Sequence, residues 1–481
     1  MRLLTSSVLL VAAVSADIWS NWDTRQVCHP HVHASPTSAA ALQQAVQAAT
    51  SVRVAGAGHS FSPIVLTDHS LITLEGYTDV VEFTNDNITV QAGRPLYAIN
   101  SFLASRGRAL VNLGAVAVQT AAGVTQTGTH GTGNTGCLSD SIVGMDLILA
   151  NGSHCLLSAT DSPDLFDAAR VGMGVFGAVS TLTFRHVPLW TMEQVTFTLP
   201  LATFIHHRAA LLRTFERMQW YLNGLPTDST VTVVLRVNTT APITTGCWGS
   251  TFSSTPVTAA PLGWTAWPPR TKACVDASYK VLGREGKNNT GYFTEMEMMV
   301  PVDDDAAALT DMLSLHATLA PRHDSKVPLF LGFRYVDSDT IWLSPFYGRR
   351  TVVVSTIVYH KGQYEPEIDR YHRGMQRVLA KYNARPHTGK ANYFTANEMA
   401  RVYPKFNAFV QLQRAVDPTG KFLNAYMRRL LVLPDQRIDS GAVVDATTPH
   451  ASVAVVGVVG VVALAGLASQ RRRRAAYVRL G

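Results

Sequence analysis

Residues 51–66, Ser-Val-Arg-Val-Ala-Gly-Ala-Gly-His-Ser-Phe-Ser-Pro-Ile-Val-Leu, constrain the fold more than any other stretch of the chain. The β-branched Val52 and Val54 predict a strand that runs into Gly56-Ala57-Gly58, and only then come His59, Ser60 and a proline. Glycines at 56 and 58 let the backbone reach positive φ and let successive N–H groups turn toward an anion such as a pyrophosphate. The spacing excludes a Rossmann turn, because Phe61 stands where a third glycine belongs and no long helix opens behind the loop. The element is a strand that presents His59 at its tip.

A second run of small residues follows. Asn112-Leu-Gly-Ala-Val116 precedes Ala122-Gly-Val-Thr-Gln-Thr-Gly-Thr-His-Gly-Thr-Gly133, and side chains this small let a planar ring lie against backbone. Val171-Gly-Met-Gly-Val-Phe-Gly-Ala-Val-Ser180 is a third glycine-rich run, at the start of an apolar strand. Between these runs short helices and strands alternate. Ser38–Thr50, with Thr37 and Ser38 as possible caps, and Pro95–Arg106 read as helices, while Ser70–Leu74 and Ile88–Gly93 read as strands.

After Pro188 the pattern shifts to longer strands at 230–238, 292–300, 328–336 and 351–359, with helices at 204–222, 304–319 and 366–381. A chain of 481 residues exceeds one core. The reading is an α+β protein of two domains: a mixed-sheet nucleotide-binding domain over residues 20–188, and an antiparallel sheet covered by helices over residues 189–432, which ends in a C-terminal return segment at Asp417–Asn424 and caps the substrate side of the ligand.

The ends of the chain differ from this body. Arg2, the apolar Val8–Val14 run and Ser15-Ala16 predict a signal peptide over residues 1–16. Residues 433–450 form a polar linker, and the apolar Ala451–Ser469 is about long enough to cross a bilayer. Residues 470–481 form a basic tail that begins at Arg471–Arg474, so the positive-inside rule puts the tail in the cytoplasm and the body in the lumen or outside the cell. The expectation is a single-pass membrane protein of the endoplasmic reticulum or secretory pathway. Arg2 and the five tail arginines account for six of the formal +7, so the body is near neutral and carries no nucleic-acid footprint.

Sequons at Asn87, Asn151, Asn238 and Asn288 agree with that compartment and with a glycoprotein. Five cysteines leave at least one unpaired if all pairing is internal, and Cys247 and Cys274, which flank a Pro- and Trp-rich segment, are the first pair expected to bridge. Cys28-His29-Pro-His31-Val-His33 has no second cluster at finger spacing, so it reads as an exposed N-terminal segment and no metal is expected.

Together, Gly56-Ala57-Gly58-His59-Ser60 and Thr127-Gly128-Thr129-His130-Gly131-Thr132-Gly133 resemble the flavin-binding signature of the vanillyl-alcohol-oxidase superfamily. Within it the chain resembles the sugar-1,4-lactone oxidases, from residue 30 to residue 432. The resemblance implies FAD, bonded covalently through His59, with Gly174 and Val179 at its adenine and ribose end. It implies that Gly114 lies beside the reactive face, where glycine goes with oxygen reactivity and alanine with dehydrogenases. The implied activity is oxidation of an aldono-1,4-lactone at C2 by O₂, which yields H₂O₂ and, from L-gulono- or L-galactono-lactone, ascorbate. An oxidase of alditols or other sugars, and a flavin-binding ectodomain without lactone activity, are the alternatives.

The substrate side departs from the family pattern. Strand alternation puts Gly332 and Arg334 on one face of Phe330-Leu-Gly-Phe-Arg-Tyr335, and Glu295 and Glu297 on one face of their own strand. The resembled family carries a glutamate two residues before the arginine, where this chain has Gly332. A neighbouring strand is therefore expected to supply the carboxylate, Glu297 first and Glu295 second. Arg385-Pro-His-Thr-Gly-Lys390 resembles the family's Pro-His-Trp-Gly-Lys, with His387 and Lys390 matching and Thr388 replacing the tryptophan. The resemblance implies that Lys390 holds charge developing on the flavin and that His387 touches flavin or substrate.

Overall fold

The strand that carries the first glycine loop, Val52–Ala55, lies at the edge of a three-stranded parallel sheet, pairing with Ser70–Thr73, which pairs in turn with Val32–Ala34. The computed structural model describes residues 18–223, 229–244, 247, 256–283, 292–319, 329–360 and 366–434. Helix Ala39–Ala48 precedes the loop strand. The Ser38 side chain caps it by accepting from the Ala41 N–H, and Leu42 and Val46, one turn apart, face the core. A second sheet of five antiparallel strands runs in the order His154–Leu157, Ile142–Ile148, Ala178–Arg185, Asn87–Gln91, Val80–Phe83. The two sheets and helix Leu96–Ala104 enclose the three glycine-rich runs.

From Thr191 onward the chain builds one eight-stranded antiparallel sheet. Its order is Lys272–Ala277, Thr191–Pro200, Thr230–Thr239, Arg217–Asn223, Leu329–Val336, Thr351–His360, Tyr292–Pro301, Arg385–Pro386. Helices Leu201–Thr214, Asp305–Leu319 and Pro366–Leu379 pack on it. The long helix expected over 204–222 is corrected: it ends at Thr214, Phe215 is extended, and Arg217–Asn223 is a central strand. The cause is packing. Met218, Trp220 and Leu222 are buried at alternate positions, and the Trp220 ring stacks on Phe333 of the next strand at 3.9 Å. Strands Thr191–Pro200 and Lys272–Ala277, which the periodicity did not reveal, complete one edge of the sheet.

The last described segment returns to the first domain. Asp417 accepts the N–H groups of Lys421 and Phe422, a turn that offers the Lys421 carbonyl to the Val52 N–H at 2.9 Å. Arg53, buried, donates to the carbonyls of Ile64, Met173, Gly174 and Phe422, tying that turn to the third glycine run. Burial pulls its pKa down to about 10.

Cys247 and Cys274 form the expected disulfide, and Cys28, Cys137 and Cys155 are free and buried. His29, His31 and His33 are exposed around buried Cys28 and do not converge. The expected signal peptide, the apolar segment 451–469, the basic tail and the sequon at Asn288 lie outside the described residues. Among the described residues no helix is long and apolar enough to cross a membrane.

Candidate active site

Two cavities meet at the first glycine loop. One runs beneath Gly56, Ala57 and Gly58 to Gly174 and Val179 and is closed on one side by Trp19. The other, of about 250 Å³, runs from Gly114 to Glu297 and Arg334. His59, Ser60, Gln119 and Thr127 line both, so the two cavities are adjacent and share a wall that includes His59.

The first cavity suits a phosphorylated dinucleotide. Among the described residues, the backbone N–H groups of Gly56, Ala57, Gly58, His59 and Ser60 donate to no protein acceptor, which leaves five donors at the cavity wall for a polyanion. A Cβ at Gly56 would stand 2.2 Å from Thr120 Oγ1, so only glycine permits the close approach of these two loops. Gly58 and Gly174 both adopt positive φ, +66° and +68°. The N-terminal segment braces the loop from outside. The Trp22 N–H donates to the Gly58 carbonyl at 2.9 Å and Asn21 Nδ2 to the Ser60 carbonyl at 2.9 Å, while the Trp22 ring stacks on His59 at 5.6 Å. Burial, with Lys390 nearby, pulls the His59 pKa down to about 4, so its imidazole is neutral and keeps a lone pair.

The second cavity is floored by the eight-stranded sheet, and strand register decides which side chains reach it. Glu297 faces Ser355, Ser355 faces Gly332, and Gly332 faces Tyr221, so these four form one row across four strands. Arg334 and Gln219 form a pair in the adjoining row on the same face. A Cβ at Gly332 would lie 3.2 Å from the Tyr221 ring. Tyr221 therefore covers Gly332, and the carboxylate of the row stands two strands away at Glu297.

The charges here are ordered by contact. Glu295 is held by Lys390 Nζ and by the Ser355 hydroxyl at 2.6 Å. Glu297 Oε2 lies 3.4 Å from His130 Nε2, with both side chains 2% exposed. Burial opposes ionisation of Glu297, but Lys390, His130 and Arg334 outweigh it and hold its pKa well below the usual carboxylate range. Burial likewise pulls Arg334 down, and Glu297, Tyr221 and Glu295 more than compensate, so the guanidinium stays charged. His387 is fully desolvated, which pushes its pKa to about 3. Its Nδ1 accepts the Gly389 N–H at 3.1 Å, so the proton of the neutral ring sits on Nε2. His130, Glu297 and His387 bring one ligand-type atom each within 4.8 Å of one another. Arg334 and Lys390 line the same cavity, and their positive charge opposes a metal cation there.

Comparison with known proteins fits this architecture. Residues 30–158 match the model of an FAD binding domain, and residues 225–430 match that of D-arabinono-1,4-lactone oxidase. L-gulono-1,4-lactone dehydrogenase of Mycobacterium tuberculosis is 31% identical over 447 residues, covering 86% of this chain and 99% of the relative. The chain belongs to the sugar-1,4-lactone oxidase family. As a member of it, the protein is an FAD-dependent sugar-lactone oxidoreductase of the vanillyl-alcohol-oxidase superfamily. L-gulonolactone oxidase of Bos taurus is 28% identical over 448 residues, covering 86% of this chain and 98% of the relative. At 13% identity, cholesterol oxidase from Brevibacterium sterolicum shares the fold, with a TM-score of 0.70 over 86% of this chain and 96% of its own.

The residues expected in the lactone oxidoreductase site divide into three groups. Gly56, Ala57, Gly58, Gly174 and Val179 line the first cavity, and His59, Ser60 and Thr127 line both. Gly114, Thr129, His130, Glu297, Arg334, His387 and Lys390 line the second. Gly128, Gly131 and Gly133, expected against the cofactor, line neither cavity. Gly128 packs on Pro345 and Val171, Gly131 on Asn112 and Leu113, and the Gly133 N–H donates to the Tyr335 carbonyl at 2.8 Å, so the last of these joins the second loop to the cap sheet. Tyr221 and Gln119 line the cavity without having been singled out in the sequence. Tyr221 was hidden by the helix reading, although Met218-x-Trp220-x-Leu222 carries the two-residue period of a strand.

Proposed function

We propose that the protein oxidises an aldono-1,4-lactone, with L-gulono-, L-galactono- and D-arabinono-lactone as the candidates, at its C2 hydroxyl. The observation that carries this is the presence of Glu297 and Arg334 on one face of the sheet that floors a single cavity, which His59 and Gly114 also line. The chemistry supplied by bound FAD is two-electron: hydride acceptance from the carbinol carbon, then re-oxidation by an external acceptor. The loop residues 56–60, with Gly174 and Val179, would hold its phosphates and adenine end. Arg334 would hold the substrate oxygen in place and stabilise its developing negative charge. Glu297, ionised and without a competing cation in direct contact, would take the hydroxyl proton, while Glu295 is engaged by Lys390 and Ser355. Lys390 would stand against charge that develops on the cofactor side, and neutral His387 would donate from Nε2.

The finer proposals are three. O₂ is the acceptor, a reading supported by the glycine at 114, which in the resembled family goes with oxygen reactivity. FAD is bonded through His59, whose neutral imidazole keeps a lone pair where the two cavities adjoin. The body is luminal or extracellular on a single span, a reading supported by Ala451–Ser469, Arg471–Arg474 and the Cys247–Cys274 disulfide.

The deciding experiment is an anaerobic titration of the holoenzyme with a panel of aldonolactones and alditols, followed by flavin absorbance. Bleaching by a lactone, and a loss of rate on the order of 10²–10⁴-fold in Glu297→Gln, is the expected result. Bleaching by alditols alone would replace the substrate class. Yellow colour retained after acid precipitation, and lost in His59→Ala, tests the covalent bond.

A further inference from the structure

His130 Nδ1 lies 3.0 Å from the carbonyl oxygen of Gly131, and its Nε2 lies 3.4 Å from Glu297 Oε2. A carbonyl oxygen only accepts, so Nδ1 carries a proton. In a neutral ring Nε2 then presents a lone pair to a carboxylate oxygen that has only lone pairs to offer. That contact becomes bonding only when a proton lies between the two atoms. Both side chains are 2% exposed, and Phe346 closes the His130 ring from its edge at 5.0 Å, so bulk water does not intervene. Among the described residues, the other ionisable groups that line the same cavity are His59, Tyr221, Glu295, Arg334, Tyr359, Lys390 and His387, the last with its ring 6.0 Å from that of His130.

We propose that His130 is the terminal acceptor of the substrate's hydroxyl proton, with Glu297 as the group that carries the proton to it. The proposal rests on Glu297 being the base in the reading above. A carboxylate is a poor resting place for a proton taken from an alcohol, and the histidine lone pair 3.4 Å behind it is a better one. In the step, the substrate O–H bond breaks and its electron pair stays on oxygen, closing the C=O bond. The C2 hydrogen leaves with its pair as hydride, the two-electron acceptance that FAD supplies. The proton, taken at the Glu297 carboxylate, passes to His130 Nε2, where an N–H bond forms. Glu297 ends as a carboxylate against imidazolium, and the Nδ1 proton stays on Nδ1, donated to the Gly131 carbonyl throughout.

The test is anaerobic reduction of the holoenzyme by L-gulono-1,4-lactone as a function of pH. In the wild type the rate rises with pH as the gap between Nε2 and Oε2 empties. His130→Asn keeps a donor toward Glu297 but cannot accept a proton. It should lower the plateau about 100-fold and move the half-maximal pH down, toward the carboxylate range, by about one unit or more. His130→Gln serves as the second variant, with flavin absorbance confirming that both are loaded. Histidine-selective ¹⁵N NMR of the wild type gives a readout without turnover: the resonance absent from His130→Asn should show Nδ1 protonated on both sides of its titration. An unmoved half-maximal pH in both variants, or a neutral Nε2–H tautomer, overturns the proposal. Glu297→Gln separates the two readings. If it abolishes reduction while the His130 variants keep the wild-type profile, the role of His130 fails and Glu297 stands; if it too leaves reduction intact, the assignment of the base fails.

Discussion

At the scale of the residue, the most informative position is a glycine without a side chain. Gly332 stands where the resembled family carries a glutamate, and the Tyr221 ring lies over it, with 3.2 Å left for a Cβ. A carboxylate at 332 and a tyrosine at 221 compete for one volume. Gly332→Glu should therefore destabilise the protein by about 1–3 kcal/mol through overpacking, measured as a urea midpoint. Adding Tyr221→Ala should recover most of that loss, a coupling that independent sites would not show. Gly114→Ala would bring a methyl group to 2.8 Å from Thr129 Cγ2. It should slow re-oxidation by O₂ by on the order of tenfold, about 1.4 kcal/mol of barrier, while leaving anaerobic reduction by lactone near the wild-type rate; stopped-flow absorbance separates the two half-reactions.

Among the elements, the strand Arg217–Asn223 does two jobs that the helix expected there could not. Its inner face buries Met218, Trp220 and Leu222, and its other face turns Gln219 and Tyr221 toward Arg334 and Gly332. The strand Tyr292–Pro301 brings Glu295 and Glu297 into the same cavity because it pairs with Thr351–His360, which in turn pairs with the arginine strand. The edge strand Lys272–Ala277 carries Cys274, whose bridge to Cys247 closes a loop of 27 residues. Chain entropy alone assigns such a loop about 3.5 kcal/mol. The double substitution Cys247→Ser, Cys274→Ser should lower thermal stability accordingly, and a reducing agent should do the same to the wild type but not to the variant. An unchanged melting temperature in the variant would show that the edge strand is held by pairing alone.

For the whole molecule, desolvated histidines couple folding to pH. His372 is fully buried, and among the described residues neither ring nitrogen has a hydrogen-bond partner; burial pulls its pKa to about 3, as it does for His387. An unfolded histidine titrates near ~6.5. Because the folded values are lower, the unfolded chain binds the protons first as pH falls. The stability is complete above about pH 6.5 and drains away toward about pH 3, by about 1.4 kcal/mol per pH unit for each group. Urea midpoints taken from about pH 7 to about pH 5 should fall more steeply in the wild type than in His372→Leu. The same global assembly closes the chain on itself, since the Lys421 and Phe422 carbonyls reach Val52 and Arg53 beside the first glycine loop.

What the chain determined by itself was local. The glycine runs at 56–58 and 114–133, the apolar, β-branched and aromatic strands at 292–300 and 351–359 and the helix after Thr37-Ser38 are set by backbone freedom and local side-chain preference, which a sequence displays directly. Resemblance singled out His59, Arg334, His387 and Lys390, and alternation put Glu295 and Glu297 on one face of their strand. Only the tertiary structure decided which glycines border the cavities and which, like Gly133, join the domains, because both uses demand the same small residue. It alone put Tyr221 over Gly332 and His130 behind Glu297. Those contacts depend on strand order and register across the eight-stranded sheet, which bring together residues far apart in the chain, and no local pattern of hydrophobicity encodes them.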